Sequence, residues 1–499
     1  MHRLLLLLAL PTIAFAQGSL TPPGAPAPTM KTLDQIEARI PIDSLPRTSN
    51  GGHEITSPGS YYLTAGIAVT SGDAIVISAR NVTLDLNGYT ISSSASGSVY
   101  RGTAIRLADG ITNVTIRNGH IFGDGTRQAD GTFSGAGFDT GISGRWIDGT
   151  SPVQAGVVVE DVTVDGVAQS GISLQSLNAQ VSRCRVNHSG GHGIWAADVV
   201  ASQANNCRFY GIYADKVDDC RASTIAYSAI AAHTVTRCVG SSQNDAGISA
   251  QLVTASQGES VSGYGVSCDV ISDTVGNSTS AYGIYAKTAT NCTGTSKSGY
   301  GMVATNANNC TGSTQTGKQG LHVDGTAIGC RGLVSAPPSQ ANPPGYSGIC
   351  GLYAEHAVNC DGRVETAVSP CVGLYSNTAT GCTGTVVTLT GDPYQASSGL
   401  RAIVANNSTG SCDASTGLYA QNATNCAGTS TTSTGLSAST ATNCYGSSNT
   451  GTGLRTSGAA SYCSGRSNAV NGVAINATIA VACTSEKGTI SGNKQLGTL

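Results

Sequence analysis

Residues able to do chemistry are scarce in this chain, and one stretch is enriched in them. Between residues 124 and 155 lie Asp124, Arg127, Asp130, Phe138, Asp139, Arg145, Trp146 and Asp148, a concentration of charge and aromatic rings in a sequence only 11% charged and 5% aromatic. A Trp face stacks on a sugar ring and an Arg fork grips a carboxylate. Arg127, Asp139, Arg145, Trp146 and Asp148 are therefore the candidate binding residues. A second candidate, Gly191-His192-Gly193, carries a single histidine. Hydrolysis needs two carboxylates, one to donate a proton and one to activate water, so His192 alone assigns no catalytic residue. No C-x-x-C or Cys/His cluster is present, and no metal site is expected.

Cysteine is the other reactive side chain, at 17 residues. Cys220, Cys238, Cys292, Cys310, Cys360, Cys382, Cys426 and Cys444 follow a recurring marker residue by nine places, and Cys330 and Cys463 by ten. If the chain winds into coils, these form one column with neighbours about 4.8 Å apart, the strand spacing of a sheet. A disulfide wants Cβ atoms roughly 3.5 to 4.5 Å apart. The column is thus expected to hold buried thiols acting as small hydrophobes, with true bridges only off it, for example among Cys350, Cys371 and Cys412. Asn291, Asn309, Asn359, Asn425 and Asn443 immediately precede column cysteines. Asn suits a bend with unusual backbone angles, and stacked amides can bond coil to coil.

The element that positions these residues is a repeat of eighteen. Gly193, Gly211, Ala229, Gly247, Gly265, Gly283 and Gly301 mark it, and the beat returns at Gly399, Gly417, Gly435 and Gly453. A fixed period of this size signals a solenoid, whose units bury their apolar faces only against neighbours. An apolar residue follows each marker (Ile212, Ile284, Leu418) and an Ala stands two places further on (Ala214, Ala286, Ala420). That alternation is a short strand with one side inward. Tyr213, Tyr285, Tyr353, Tyr375 and Tyr419 fall between the two and should point outward, where exposed rings can bind glycans. With 65 Gly and few large side chains, the chain cannot fill a wide core, so the coils must be narrow.

Along the chain, residues 1–16 read as a secretory signal, with His2 and Arg3, an apolar run, and Ala14-Phe15-Ala16 as a cleavage site. Residues 17–50 form a linker and N-terminal cap, 51–192 longer coils with the inserted loop 124–155, 193–488 the repetitive coils, and 489–499 a tail. The Pro-rich stretches 336–348 and 390–398 should bulge out as loops. A net charge of −3 offers no field for nucleic acid. After the signal no apolar run is long enough to span a membrane.

The phrases NVTLDLNGYTI (81–91) and NVTIRNGHIFG (113–123), continued by VVVEDVTVDGV (157–167), resemble right-handed parallel β-helix repeats of the pectate-lyase-like superfamily, over roughly residues 50 to 490. The resemblance implies an all-β, single-stranded right-handed parallel β-helix and a bacterial source. It assigns no activity, because enzymes, adhesins and phage tailspikes share the fold. Gly191-His192-Gly193 resembles the Gly-His-Gly of polygalacturonases, which set it one coil from an aspartate pair. Here the matching places hold Gln169 and Ser170, Asp218 and Asp219 lie downstream, and no Arg-x-Lys follows. The expectation is an exported, non-catalytic surface or matrix rod that contacts polysaccharide and needs no cofactor. The alternative is a polysaccharide lyase or glycoside hydrolase acting in the N-terminal coils, with Ca²⁺ implied only for a lyase.

Overall fold

The computed structural model describes residues 39–96, 101–128, 133–144, 155–175, 178–336, 348–368, 370–390 and 397–497. The signal expected at 1–16 and the linker up to residue 38 lie outside these residues. The chain is an all-β parallel solenoid of about 22 turns. Its one helical turn among the described residues is the 3-10 segment Ile42–Ser44. Apart from the short antiparallel pair Thr126–Arg127 and Phe133–Ser134, the paired strands form one continuous parallel ladder.

Each repetitive coil uses a long and a short strand, as in Ile284–Thr290 and Thr293–Ser296. In the first, Ile284, Ala286 and Ala289 are buried while Lys287 and Thr288 are both exposed. Two outward residues in succession break the period of two, so the strand turns a corner there. Register is strict: Ile284 lies beside Met302, Tyr285 beside Val303 and Ala286 beside Ala304. From Ile212 to Leu454 the residue after the marker is an Ile, Val, Met or Leu buried completely on every coil.

Glycine sets the thickness. A Cβ on Gly294 would lie 2.3 Å from the carbonyl oxygen of Gly301, and one on Gly283 would lie 2.3 Å from the amide nitrogen of Thr295. Two opposite walls therefore touch backbone to backbone, which only glycine permits. The N-terminal coils are wider and filled by branched residues, with the strands Thr112–Phe122 and Ala155–Val167 running side by side. Thr140–Gly144, inside the stretch 124–155, pairs with both Thr103–Leu107 and Ile172–Leu174 as a strand of the solenoid.

The bend before each column cysteine is left-handed. Asn291, Asn309, Asn359, Asn425 and Asn443 have φ of 54°, 50°, 52°, 52° and 52°. Asn443 donates its amide to Asn425 (2.8 Å) and Asn425 donates to Asn407 (3.1 Å), giving the coil-to-coil ladder expected of stacked amides. All ten column cysteines, Cys220 through Cys463, are buried, and Cys184 and Cys483 occupy the same kind of place at its two ends. All seventeen cysteines are unpaired, so the bridges expected among Cys350, Cys371 and Cys412 do not form. Cys371 lies beside Ile349 and Cys350 beside Val372. One place out of register, their side chains face opposite sides of the sheet.

Candidate carbohydrate-binding face

The residue two places after each marker follows a fully buried one, so it projects outward. Strand register turns this into a column. Trp195 lies beside Tyr213, His322 beside Tyr353, Tyr353 beside Tyr375, Tyr375 beside Arg401, and Arg401 beside Tyr419. Ala231, Ser249 and Ser267 are the small residues in the middle. A second lane runs beside the first, at the place before the marker: His192, Tyr210, Tyr264, Tyr282 and Tyr300. The lanes touch, with Tyr210 and Tyr213 centroids 5.3 Å apart and Tyr264 and Tyr285 5.8 Å apart. One face thus carries an aromatic ribbon.

Ring geometry differs along it. Tyr353 and Tyr375 stack flat, 5.4 Å apart and 4° from parallel, and His322 stacks on Tyr353 at 4.8 Å. Flat stacking covers the facing surfaces and presents edges and hydroxyls to solvent. Trp195 and Tyr213 instead meet edge to face, at 5.0 Å and 68°. Such a pair covers one face of one ring.

Two clefts open on the ribbon. Near its N-terminal end a cleft of about 280 Å³ is lined by Trp195 and Tyr213 together with Leu174, Gln175 and Asp215. Asp215 is exposed and lies 3.2 Å from His233 Nδ1. Aromatic surface beside an amide and a carboxylate is the combination that binds the apolar face and the hydroxyls of a sugar. Towards the other end a cleft of about 290 Å³ is lined by Tyr353, Tyr375, Ile349, Pro370, Gln319 and Arg401. The Arg401 guanidinium sits 5.2 Å above the Tyr419 ring. Gln319 Oε1 lies 2.6 Å from His322 Nδ1, and His322 Nε2 lies 2.9 Å from Asp324.

Of the five candidate binding residues, Arg127 and Asp139 lie among the described residues. Asp139 stands next to fully buried Phe138, and its amide donates to the Gly102 carbonyl. Burial pushes its carboxyl above the usual carboxylate range, opposed by Arg101. Arg127 lies in the short antiparallel pair. Arg145, Trp146 and Asp148 lie outside the described residues, as does Asp130. Asp124 lines a different cleft, of about 470 Å³, with Phe122, Asp165 and His188. There His188 Nδ1 is 2.9 Å from Asp165. His192 is packed by Trp195, Phe209 and Tyr210, its Nδ1 has no partner, and burial lowers its pKa. Burial favours the neutral form of this boxed-in ring, which packs as part of the ribbon. Among the described residues no group of three His, Cys, Asp or Glu could hold a metal ion.

Trp195, Phe209, Tyr210 and Arg401 do not stand out from the sequence. The signal was present for part of the second lane, since Tyr210, Tyr264, Tyr282 and Tyr300 each precede a marker glycine. What the sequence did not show was that positions three apart around a turn share one face.

No family model matches this chain, and no curated protein matches it. A search of solved structures finds the A-module of the mannuronan C-5 epimerase AlgE6 from Azotobacter vinelandii, at 12% identity over 92% of this chain and 98% of that one, with a TM-score of 0.16. A score that low carries no argument about this site.

Proposed function

We propose that this chain is an exported, non-catalytic rod that holds a polysaccharide along its aromatic ribbon. The observation that carries the reading is the placement of Trp195, Tyr213, Tyr285, His322, Tyr353, Tyr375 and Tyr419 in a single outward column of a chain otherwise poor in rings. A core needs no such outward placement. Successive coils repeat at about 4.8 Å, comparable to the rise of one sugar in an extended chain, so groups recur in step with a linear polymer. Export rests on the signal pattern at residues 1–16. The test is retention on a panel of insoluble and immobilised polysaccharides, with product release measured in parallel. Retention that drops at least about tenfold in Trp195→Ala, with no product released, supports the reading. Equal retention of the variant on every member of the panel overturns it.

A second reading has one observation in its favour. Asp165, His188 and Asp124 line one cleft in the N-terminal coils, with a carboxylate in contact with an imidazole. Two carboxylates and a histidine are a sufficient set for acid–base hydrolysis of a glycoside. New reducing ends released from the same panel, and abolished in Asp165→Asn, would establish it.

A further inference from the structure

We infer that the two clefts on the ribbon form one bivalent site for a single extended polymer bearing hydroxyls and carboxylates, so that the protein selects long chains over short ones. This rests on the polysaccharide reading above and adds the partner's length and polarity.

The two clefts are on the same column. Seven coil steps, with the column residues paired at each, lead from Tyr213 in the first to Tyr353 in the second; the irregularities at Ala304–Ala307 and Val323–Thr326 fall after the column position. At about 4.8 Å per coil this is about 34 Å. The path between them is not blocked. Between the clefts the first lane is low at Ala231, Ser249, Ser267 and Val303 and carries the rings of Tyr285 and His322 as stacking platforms, while Tyr264, Tyr282 and Tyr300 form a rail beside it, the last two stacked at 5.1 Å. A ligand held in both clefts must therefore lie parallel to the rod axis.

Their chemistry differs in a way that defines the partner. The first cleft offers a carboxylate, Asp215, and an amide, Gln175, which suit hydroxyl groups. The second offers the Arg401 guanidinium, which is not in an ion pair with any described carboxylate, and the amide of Gln319. Two coils beyond Tyr419, past Ser437, the exposed Arg455 continues the same column with a second such cation. The acids nearby are Asp324, taken up by His322, and Glu355, which projects two places after Tyr353. A guanidinium fork among ring edges is built for a planar carboxylate. A chain whose every unit carries both hydroxyls and a carboxylate satisfies both clefts in one orientation.

Two weak grips on a rigid scaffold act as one strong site only if the ligand spans them. Four units, at one unit per coil, cannot cross seven steps, whereas twelve can.

The experiment is calorimetric titration of the full chain with oligogalacturonides of four and of twelve units. The twelve-unit chain is expected to bind at least about 100-fold more tightly. Trp195→Ala and Arg401→Gln should each bring the twelve-unit affinity down to within about threefold of the four-unit value. Trp195→Phe and Arg401→Lys, read beside circular-dichroism melting of every variant, separate loss of a grip from loss of fold. Equal affinity for the two lengths would overturn bivalency while leaving saccharide binding in place. Failure of both lengths to bind would overturn this inference, and failure on the whole polysaccharide panel the reading beneath it. A length preference unchanged in Arg401→Gln would also overturn it, because the second grip would then lie elsewhere.

Discussion

The backbone amide of Cys220 donates a hydrogen bond to the thiol sulfur of Cys238, one coil further on, at 3.4 Å. The left-handed bend at Asp219, with φ of 52°, aims that amide at a side-chain sulfur of the next coil instead of at a backbone carbonyl. The same relationship runs from Cys184 to Ser202, Ser202 to Cys220, Cys238 to Ser256 and Ser256 to Thr274. Each side chain meanwhile donates back to the carbonyl two residues before it, as Cys238 does to Thr236 at 3.0 Å. The column thus needs a small side chain that both accepts and donates, which restricts it to Cys, Ser or Thr.

Cys238→Ser should consequently be nearly neutral, since Ser256 already fills the next place of the column and Ser202 the place before Cys220. Cys238→Ala strands the Cys220 amide and should cost about 1 to 3 kcal/mol. Urea denaturation of the two variants against the parent checks the order.

Gly294→Ala should destabilise by about 1 to 3 kcal/mol through overpacking, because the added methyl carbon meets the Gly301 carbonyl oxygen at 2.3 Å. Thr295→Ala, on the outward place beside it, should change stability by less than about 0.5 kcal/mol. Thermal melts of both variants make the comparison.

At Asn425 the left-handed backbone and the amide ladder can be separated. Asn425→Gly relieves the strain of φ 52° while losing the bonds to Asn407 and Asn443. Asn425→Val loses the bonds and puts a β-branched residue in a left-handed bend, and should be the worse of the two by about 1 to 3 kcal/mol. Chemical denaturation midpoints rank them.

Alkali should unfold the rod. Burial pushes the thiols of Cys184, Cys207 and Cys268 up from 9.0 to about 12. A raised folded pKa contributes stability that is complete below the unfolded value and drains as pH climbs from about 9 towards 12, because the unfolded thiols ionise first. The loss is about 1.4 kcal/mol per thiol for each pH unit in that window. Melting temperature should be flat from pH 6 to 8 and fall steeply above 9. At pH 8, iodoacetamide should leave these three thiols unmodified in the native chain and label all seventeen cysteines in denaturant, read by mass spectrometry.

How far the fold could be read from the sequence follows from what a solenoid repeats. A coil that contacts only its neighbours writes its period directly into the chain, so the marker glycines, the inward Ile or Leu and the column cysteines announced stacking, burial and the bend at Asn before any coordinate was known. The site was far less legible. Arg127, Asp139, Arg145, Trp146 and Asp148 stand out by local density alone, and of these only Arg127 and Asp139, the latter next to buried Phe138, lie among the described residues.

By itself the sequence determined the periodic quantities: a parallel coil, a narrow interior, thiols in file and tyrosines facing out, because each depends on spacing within one repeat. Only the tertiary structure decided how residues far apart along the chain share a surface. Trp195 and Arg401 belong to one ribbon, and Cys350 and Cys371 face opposite sides of the sheet, because uneven coil lengths are absorbed in loops and in local strand irregularities while the column positions stay paired. The ladder hydrogen bonds hold that register, and a slip of a single residue would turn every inward side chain to solvent.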